Sequence, residues 1–267
     1  MTRSGHSSTG SVGAGAPSGA QTDAPVNPCA APTDPVLLCP DLVMAPPYDL
    51  TIDRRTRRGH VLLRAANSID SLGRGPVELV GRRLGPASMS VSQRIRRAGG
   101  PSLILPTGGR LGFKLVPGQG RFWKLADAAR FELWRLDARG RRTRLVRSGP
   151  KVFYCLRDLR RRHPRLGSPR RRVYPACSRN PRARTVTLGT SVGWSDVYPA
   201  GYHEQWIDVT GLRGRFAYVQ VADPRNSITE SNEANNAAEA IVRLPSGRAE
   251  RRGRLDPSAP GAGGPGY

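Results

Sequence analysis

The chain has 267 residues, which is long enough for one domain with a substantial core. Hydrophobic residues make up only 37%, beside 31 glycines and 24 prolines, so unstructured flanks around a folded centre are expected. The formal charge of +23 favours anionic partners, but only three of the 43 basic residues are lysine and the other forty are arginine, a bias that GC-rich coding also produces. Nucleic acid is therefore not the expected partner, and no segment is apolar enough to predict a membrane span.

The two ends of the chain are predicted to lie outside the folded domain. Residues 1–35 are rich in Gly, Ala, Ser and Pro and predict a disordered leader, without the hydrophobic run of a secretion signal. Residues 36–246 form the predicted domain, and residues 247–267 a second disordered tail.

Four cysteines, Cys29, Cys39, Cys155 and Cys177, make an even number that permits two disulfides in an exported protein. Three connectivities are possible. Proximity in the sequence favours Cys29 with Cys39 and Cys155 with Cys177, and the alternative is four unrelated buried thiols.

The pattern between the flanks has a period of two, in short β-branched or aromatic runs separated by Gly, Pro, Asn and Asp. The predicted strands cover residues 61–69, 77–80, 130–136, 152–156, 185–188, 206–209 and 216–222. A helical turn is expected only within residues 231–240. The sequence thus predicts an all-β fold: a single antiparallel β-sandwich or barrel-like domain with long loops.

Several stretches in this order resemble one family, the lysyl oxidases, particularly their bacterial branch. The most specific are "SVGWSDVYPAGYHEQWIDVTGL" (Ser191–Leu212), "GPKVFYCLRD" (Gly149–Asp158) and "VADPRNSITESNEANN" (Val221–Asn236). "CPDLVMAPP" (Cys39–Pro47) and "GRGPVELVGRR" (Gly73–Arg83) are similar to the opening strands of that branch.

The resemblance implies copper-dependent oxidation of primary amines to aldehydes, with release of peroxide and ammonia. The family makes its cofactor, lysine tyrosylquinone, from a tyrosine and a lysine, whose positions fall on Tyr198 and Lys151. Asp196 is a candidate proton acceptor. From the residues alone, Tyr198 is also explained as an aromatic at a loop edge, Lys151 as a solvated charge and Asp196 as a turn cap.

The copper site that the resemblance implies is an H-x-H-x-H run on a strand, where alternate side chains converge on one ion. Here the same frame reads "GRFWKL", in which Trp123 and Leu125 match, but the histidine positions are Gly120, Phe122 and Lys124. The other histidines, His6, His60, His163 and His203, contain no pair spaced two residues apart. We therefore expect no bound metal and no cofactor.

The sequence thus predicts a catalytically degenerate lysyl-oxidase-like protein that is secreted or lies at the cell surface, the true signal being upstream of a mis-assigned start. Its expected role is binding or structural. The arginine-rich segment Arg157–Arg184 would meet anionic cell-envelope polymers, although coding bias in an exposed loop explains it equally. The alternative is an active oxidase of lysyl or other primary amines, which would require copper and lysine tyrosylquinone.

Overall fold

The computed structural model describes residues 1, 27–30 and 34–254, and only the backbone of residues 249–254. Most of the predicted leader, including His6, and the tail from residue 255 lie outside the described residues. The described part is built from antiparallel strands and one short 3-10 turn at Glu233–Asn235, so the predicted all-β class is confirmed. None of its residues forms a helix with the length and hydropathy needed to cross a bilayer.

Seventeen strands make up the described fold. The first nine are β1 (Leu37–Leu38), β2 (Leu42–Met44), β3 (Tyr48–Asp53), β4 (Leu62–Ser71), β5 (Val77–Gly85), β6 (Ser88–Arg97), β7 (Leu103–Val116), β8 (Gly120–Leu136) and β9 (Arg142–Ser148). The others are β10 (Val152–Tyr154), β11 (Arg160–Arg161), β12 (Thr185–Thr190), β13 (Trp194–Tyr198), β14 (Ile207–Asp208), β15 (Gly214–Ala222), β16 (Ala237–Leu244) and β17 (Arg248–Arg254).

The strands form two sheets that enclose one main core. The larger sheet has the order β12-β5-β6-β7-β8-β15-β16-β17, with β1 on β6 and both β9 and β10 on β8. The smaller sheet has the order β11-β13-β4-β14, with β2 and β3 also paired to β4. The long strand β8 therefore carries four neighbours, and β10 brings residues 152–154 onto it.

The core forms because alternate residues of each strand point inward. In β15, Phe216 and Tyr218 are fully buried, and Tyr218 stacks near Phe131 of β8 with ring centroids 6.3 Å apart. Trp123 is also fully buried, and its indole N–H donates to the backbone oxygen of Asn180 at 2.9 Å. Burial of each such ring contributes about 1.5–3 kcal/mol, which fixes β8 in the centre of the larger sheet.

One glycine sets the entry to β13. Gly193 has φ 76°, and a Cβ atom there would lie 2.4 Å from the backbone oxygen of His163. Only glycine fits this left-handed and crowded position without strain. The turn places Trp194–Tyr198 against β4, in register with Ser195 opposite Asp70 and Tyr198 opposite Asn67.

Two features near the end of the described chain add detail to the sequence prediction. The expected helical turn within residues 231–240 is a 3-10 turn of three residues followed at once by β16, because the side chain of Asn232 caps the turn and the apolar run then pairs with β15. The backbone also continues as β17 to Arg254, so the sheet extends beyond the domain boundary expected at residue 246.

Both disulfides pair as proximity suggested. Cys29 is bonded to Cys39, and Cys155 to Cys177. The first ties the start of the described chain to the segment before β2. The second ties the end of β10 to the arginine-rich segment, which lies beside the candidate site.

Candidate functional site

Three tyrosines meet where the two sheets face each other. Tyr154 of β10 and Tyr198 of β13 stack with ring centroids 3.7 Å apart and planes 8° from parallel. Tyr202, in the turn after β13, approaches both edge-on, with its centroid 4.9 Å from that of Tyr198 and 6.1 Å from that of Tyr154. Stacked and edge-on pairs of this kind add to the burial energy and hold each ring in one orientation.

Tyr198 is held by polar contacts as well. Its hydroxyl accepts a hydrogen bond from the backbone N–H of Cys155 at 2.9 Å, and the residue is only 4% exposed. Burial raises the pKa of Tyr198 well above its ordinary value, and Asp196 raises it further. The phenol therefore stays protonated at neutral pH.

Asp196 lies on the same strand and is fully buried. Its Oδ2 atom accepts a hydrogen bond from the backbone N–H of Leu156 at 3.1 Å, while Oδ1 has no partner among the described residues. Burial raises the pKa of Asp196 to about 7, against the lowering effects of Arg157 and Lys124. Because Asp196 lies inside β13, it is not a turn cap, and its carboxyl group exchanges protons near neutral pH.

Lys124 is the cation of this cluster. The residue is 2% exposed, and its Nζ atom donates to the hydroxyl of Tyr202. Nζ lies 4.7 Å from the centroid of the Tyr202 ring and 5.9 Å from that of Tyr198. Burial lowers the pKa of Lys124 to about 8, and the negative charges of Glu204 and Asp196 partly offset that effect.

Gly120 and Phe122 precede Lys124 on the same face of β8, and a second cation covers them. The Arg179 guanidinium lies 5.2 Å from the centroid of the Phe122 ring and donates to the backbone oxygen of Gln119 at 3.1 Å. A Cβ atom on Gly120 would lie 2.8 Å from the Arg179 guanidinium nitrogen, and Gly120 has φ 102°. A side chain at position 120 would therefore strain the backbone and displace Arg179.

Lys151 lies apart from these groups. It is exposed in the segment before β10, and no hydrogen bond or ion pair joins its side chain to any residue within the described ranges. Tyr198, by contrast, is buried between Tyr154 and Tyr202. The structure thus brings Tyr198, Asp196 and Lys124 together and leaves Lys151 at the surface.

The Lysyl oxidase family model matches residues 98–250, which is more than half of the chain and includes every residue of the cluster. The chain belongs to the lysyl oxidase family. No curated protein matches it significantly. Family membership and two disulfides are consistent with an extracellular location.

The residues at the copper positions implied by the family resemblance do not suit the metal. Gly120 has no donor atom, Phe122 fills its place with an apolar ring, and Lys124 presents an amine that is bonded to Tyr202. Cu(II) prefers imidazole nitrogens, and a protonated amine cannot coordinate it. Among the side chains that the structure describes, in residues 27–30 and 34–248, no cluster of three or more His, Cys, Asp or Glu is arranged to hold a metal ion.

The described histidines each face a single carboxylate. His60 Nδ1 lies 2.5 Å from Asp208, His163 Nε2 lies 3.0 Å from Asp70, and His203 Nε2 lies 3.5 Å from Glu204. Although His163 lies in the arginine-rich segment, its side chain is only 34% exposed and pairs with the buried Asp70.

The arginine-rich segment Arg157–Arg184 is firmly anchored. Asp158, which is fully buried, accepts hydrogen bonds from the backbone N–H groups of Val173, Tyr174 and Ser191 at 2.8, 3.1 and 2.7 Å. The Cys155–Cys177 disulfide closes the same segment. Arg165, Arg170 and Arg171 are exposed and form no hydrogen bond or ion pair with any described residue. The segment therefore presents free guanidinium groups from a fixed backbone.

Sequence reasoning missed Tyr154, Arg157, Tyr202 and Glu204 in the cluster, and Arg179 beside it. Tyr154 had a detectable signal, because it lies in the recognised "GPKVFYC" motif and alternates with Val152 on a predicted strand. Arg179 had none. It reaches Phe122 through the fold of the disulfide-closed segment, 57 residues further along the chain than Phe122.

Proposed function

We propose that this member of the lysyl oxidase family has lost copper-dependent amine oxidation and serves as an extracytoplasmic binding or structural module. One observation carries the proposal. The strand face where the family resemblance places copper bears Gly120, Phe122 and Lys124, and Lys124 and Arg179 bring two cations to it. Positive charge there opposes the binding of Cu(II), in addition to the loss of imidazole donors.

The position of Lys151 supports the same conclusion. Formation of the family cofactor joins a lysine to the quinone ring, and that requires the two side chains to meet. Lys151 is exposed and Tyr198 is buried among other tyrosines, so the chain must rearrange before they touch. A module that keeps the fold but not this chemistry does not need Lys151 to contact Tyr198.

The anchored basic segment supplies the binding surface of this module. The segment contains eleven arginines and a single acidic residue, the buried Asp158, so its surface is positively charged. Arginine recognises phosphate and carboxylate by paired N–H groups, which suits acidic cell-envelope polymers. Binding of this kind weakens steeply as salt rises.

A matched pair of variants tests this surface. Arg165, Arg170 and Arg171 changed together to Gln should lower affinity for a polyglycerol-phosphate polymer at least tenfold, measured by fluorescence anisotropy. The matched control changes Arg54, Arg55 and Arg58, three exposed arginines of another loop, and should retain most of the affinity. Equal losses in both variants would show that net charge, rather than this segment, determines binding.

The second candidate is an active amine oxidase of lysyl or other primary amines. It is favoured by the presence of Tyr198 and Lys151 at the positions that the resemblance assigns to the cofactor, with Asp196 as a candidate proton acceptor two residues before Tyr198. It requires copper ligands other than those of the family.

Activity separates the two candidates. Protein equilibrated with Cu(II) in air, then freed of excess metal, is treated with phenylhydrazine and separately with a diamine under a peroxide assay. The degenerate protein gives no carbonyl adduct on Tyr198 and no peroxide. Either signal from wild type, lost in Tyr198→Phe, would establish the oxidase instead.

A further inference from the structure

Lys124 is one of the few lysines in a chain whose basic residues are nearly all arginine. Only three of the 43 basic residues are lysines, and Lys124 is the one that the fold buries. An arginine at this position would keep its charge at any physiological pH and could not act as a nucleophile. A buried lysine can lose its proton and do so.

The groups that face Lys124 come from three parts of the fold. Tyr198 and Asp196 belong to β13, and the turn after that strand supplies Tyr202, His203 and Glu204, while Arg157 follows β10. Glu204 and Asp196 act on the amine as negative charges, and Arg157 acts as a positive one. The cluster therefore combines one amine, two carboxyl groups and phenol hydroxyls in a largely dry setting.

We propose that Lys124 is a reversible covalent site for small carbonyl compounds. The neutral amine nitrogen adds to an aldehyde carbon, one proton passes from nitrogen to the former carbonyl oxygen, and a second proton releases that oxygen as water. One C=N bond replaces one C=O bond, with no change in oxidation state. The step needs no metal and no oxidant.

The electrostatics of the cluster support this chemistry. At pH 7, a pKa of about 8 leaves about a tenth of the Lys124 amines neutral, against roughly one in 3,000 for an ordinary lysine. Asp196, with its pKa of about 7, is partly protonated at the same pH and can donate the proton that water loss requires.

The surroundings also define the class of compound. The amine is enclosed by the rings of Tyr198 and Tyr202, so a short, uncharged aliphatic aldehyde fits better than a bulky or ionic one. Lys124 is 2% exposed, whereas Tyr202, whose hydroxyl accepts its hydrogen bond, is only half-buried, so we infer that the Tyr202 ring swings aside to admit the aldehyde.

The three lysines allow a direct test. The full chain is incubated near pH 7 with propanal, a chelator and cyanoborohydride, which fixes any imine as a stable propyl amine, and peptide mapping gives the adduct at each lysine. Lys114 is the matched control, because it is half-buried and, like Lys124, lies over an aromatic ring, 4.4 Å from the centroid of Phe153. Lys151 represents an exposed lysine.

Lys124 should be modified at least tenfold more than Lys114 or Lys151 in the folded protein, and all three should react alike in urea. Tyr202→Ala should speed labelling of Lys124, and Lys124→Arg should remove only that adduct. Labelling of Lys124 no faster than Lys151 would overturn the proposal, and the wild-type comparison decides this even if a variant fails to fold.

The inference rests on the proposed function in one respect, namely that Lys124 binds no metal. Copper content measured on the same untreated sample separates the two. Bound copper would refute the proposed function, whereas a metal-free protein with an unreactive Lys124 would refute only the carbonyl site.

Discussion

Replacing Asp196 by Asn should change how stability depends on pH. Folding raises the pKa of this carboxyl group from 3.8 to about 7, chiefly because the group is buried. Between these values the folded state holds the proton and the unfolded state releases it, so wild type loses stability as pH rises. The shift corresponds to about 4 kcal/mol of folding stability. Wild type keeps this stability below about pH 4 and has lost it above about pH 7.

Asn cannot ionise and its side-chain oxygen can still accept the N–H of Leu156, so the variant avoids this loss. The free energy of unfolding, measured by urea denaturation from about pH 4 to about pH 8, should therefore rise for Asp196→Asn relative to wild type by up to about 4 kcal/mol. Asp208→Asn is the control, because the pKa of Asp208 is lowered to about 2 and that group stays ionised throughout the range. A difference for Asp196→Asn that stays constant across this range would refute the reasoning.

Two further substitutions probe β8. Placing histidine at Gly120, Phe122 and Lys124 together should give weak copper binding, as measured by calorimetry. Adding Arg179→Ala to this variant should tighten copper binding at least tenfold. Equal affinities would show that Arg179 does not obstruct the site. Trp123→Ala should lower the free energy of unfolding, measured by urea denaturation, by about 3–5 kcal/mol, because it empties a fully buried ring position and leaves the backbone oxygen of Asn180 unpaired. A loss below about 1 kcal/mol would place Trp123 outside the cooperative core.

Much of the fold can be predicted from local sequence pattern, and the strands that the pattern does not predict have local causes. The runs that became β5, β8 and β15 were detectable because β-branched and aromatic residues dominate them. β7 was not predicted, since "LILPTGGRLGFKLV" contains Pro and three Gly residues that normally interrupt strands. Its residues nevertheless alternate in burial, because two neighbouring strands hold it in place.

The site was predictable only in part. The resemblance selected Tyr198, the candidate proton acceptor Asp196 does lie beside it, and Lys124 was noted as the residue at a histidine position of the family. The resemblance paired Tyr198 with Lys151, whereas the lysine that approaches Tyr198 is Lys124. That contact forms across two sheets, between β8 and β13, and no pattern within either strand specifies which side chains meet across the core.

The proposed loss of amine oxidation depends most on the claim that the β8 face holds no copper. Wild-type protein equilibrated with excess Cu(II), passed through a desalting column and analysed by atomic absorption tests this claim directly. No stoichiometric copper is expected, because none of the three positions offers an imidazole and the cations Lys124 and Arg179 lie at this face. One tightly bound cupric ion per chain, lost when Lys124 or Phe122 is altered, would contradict it.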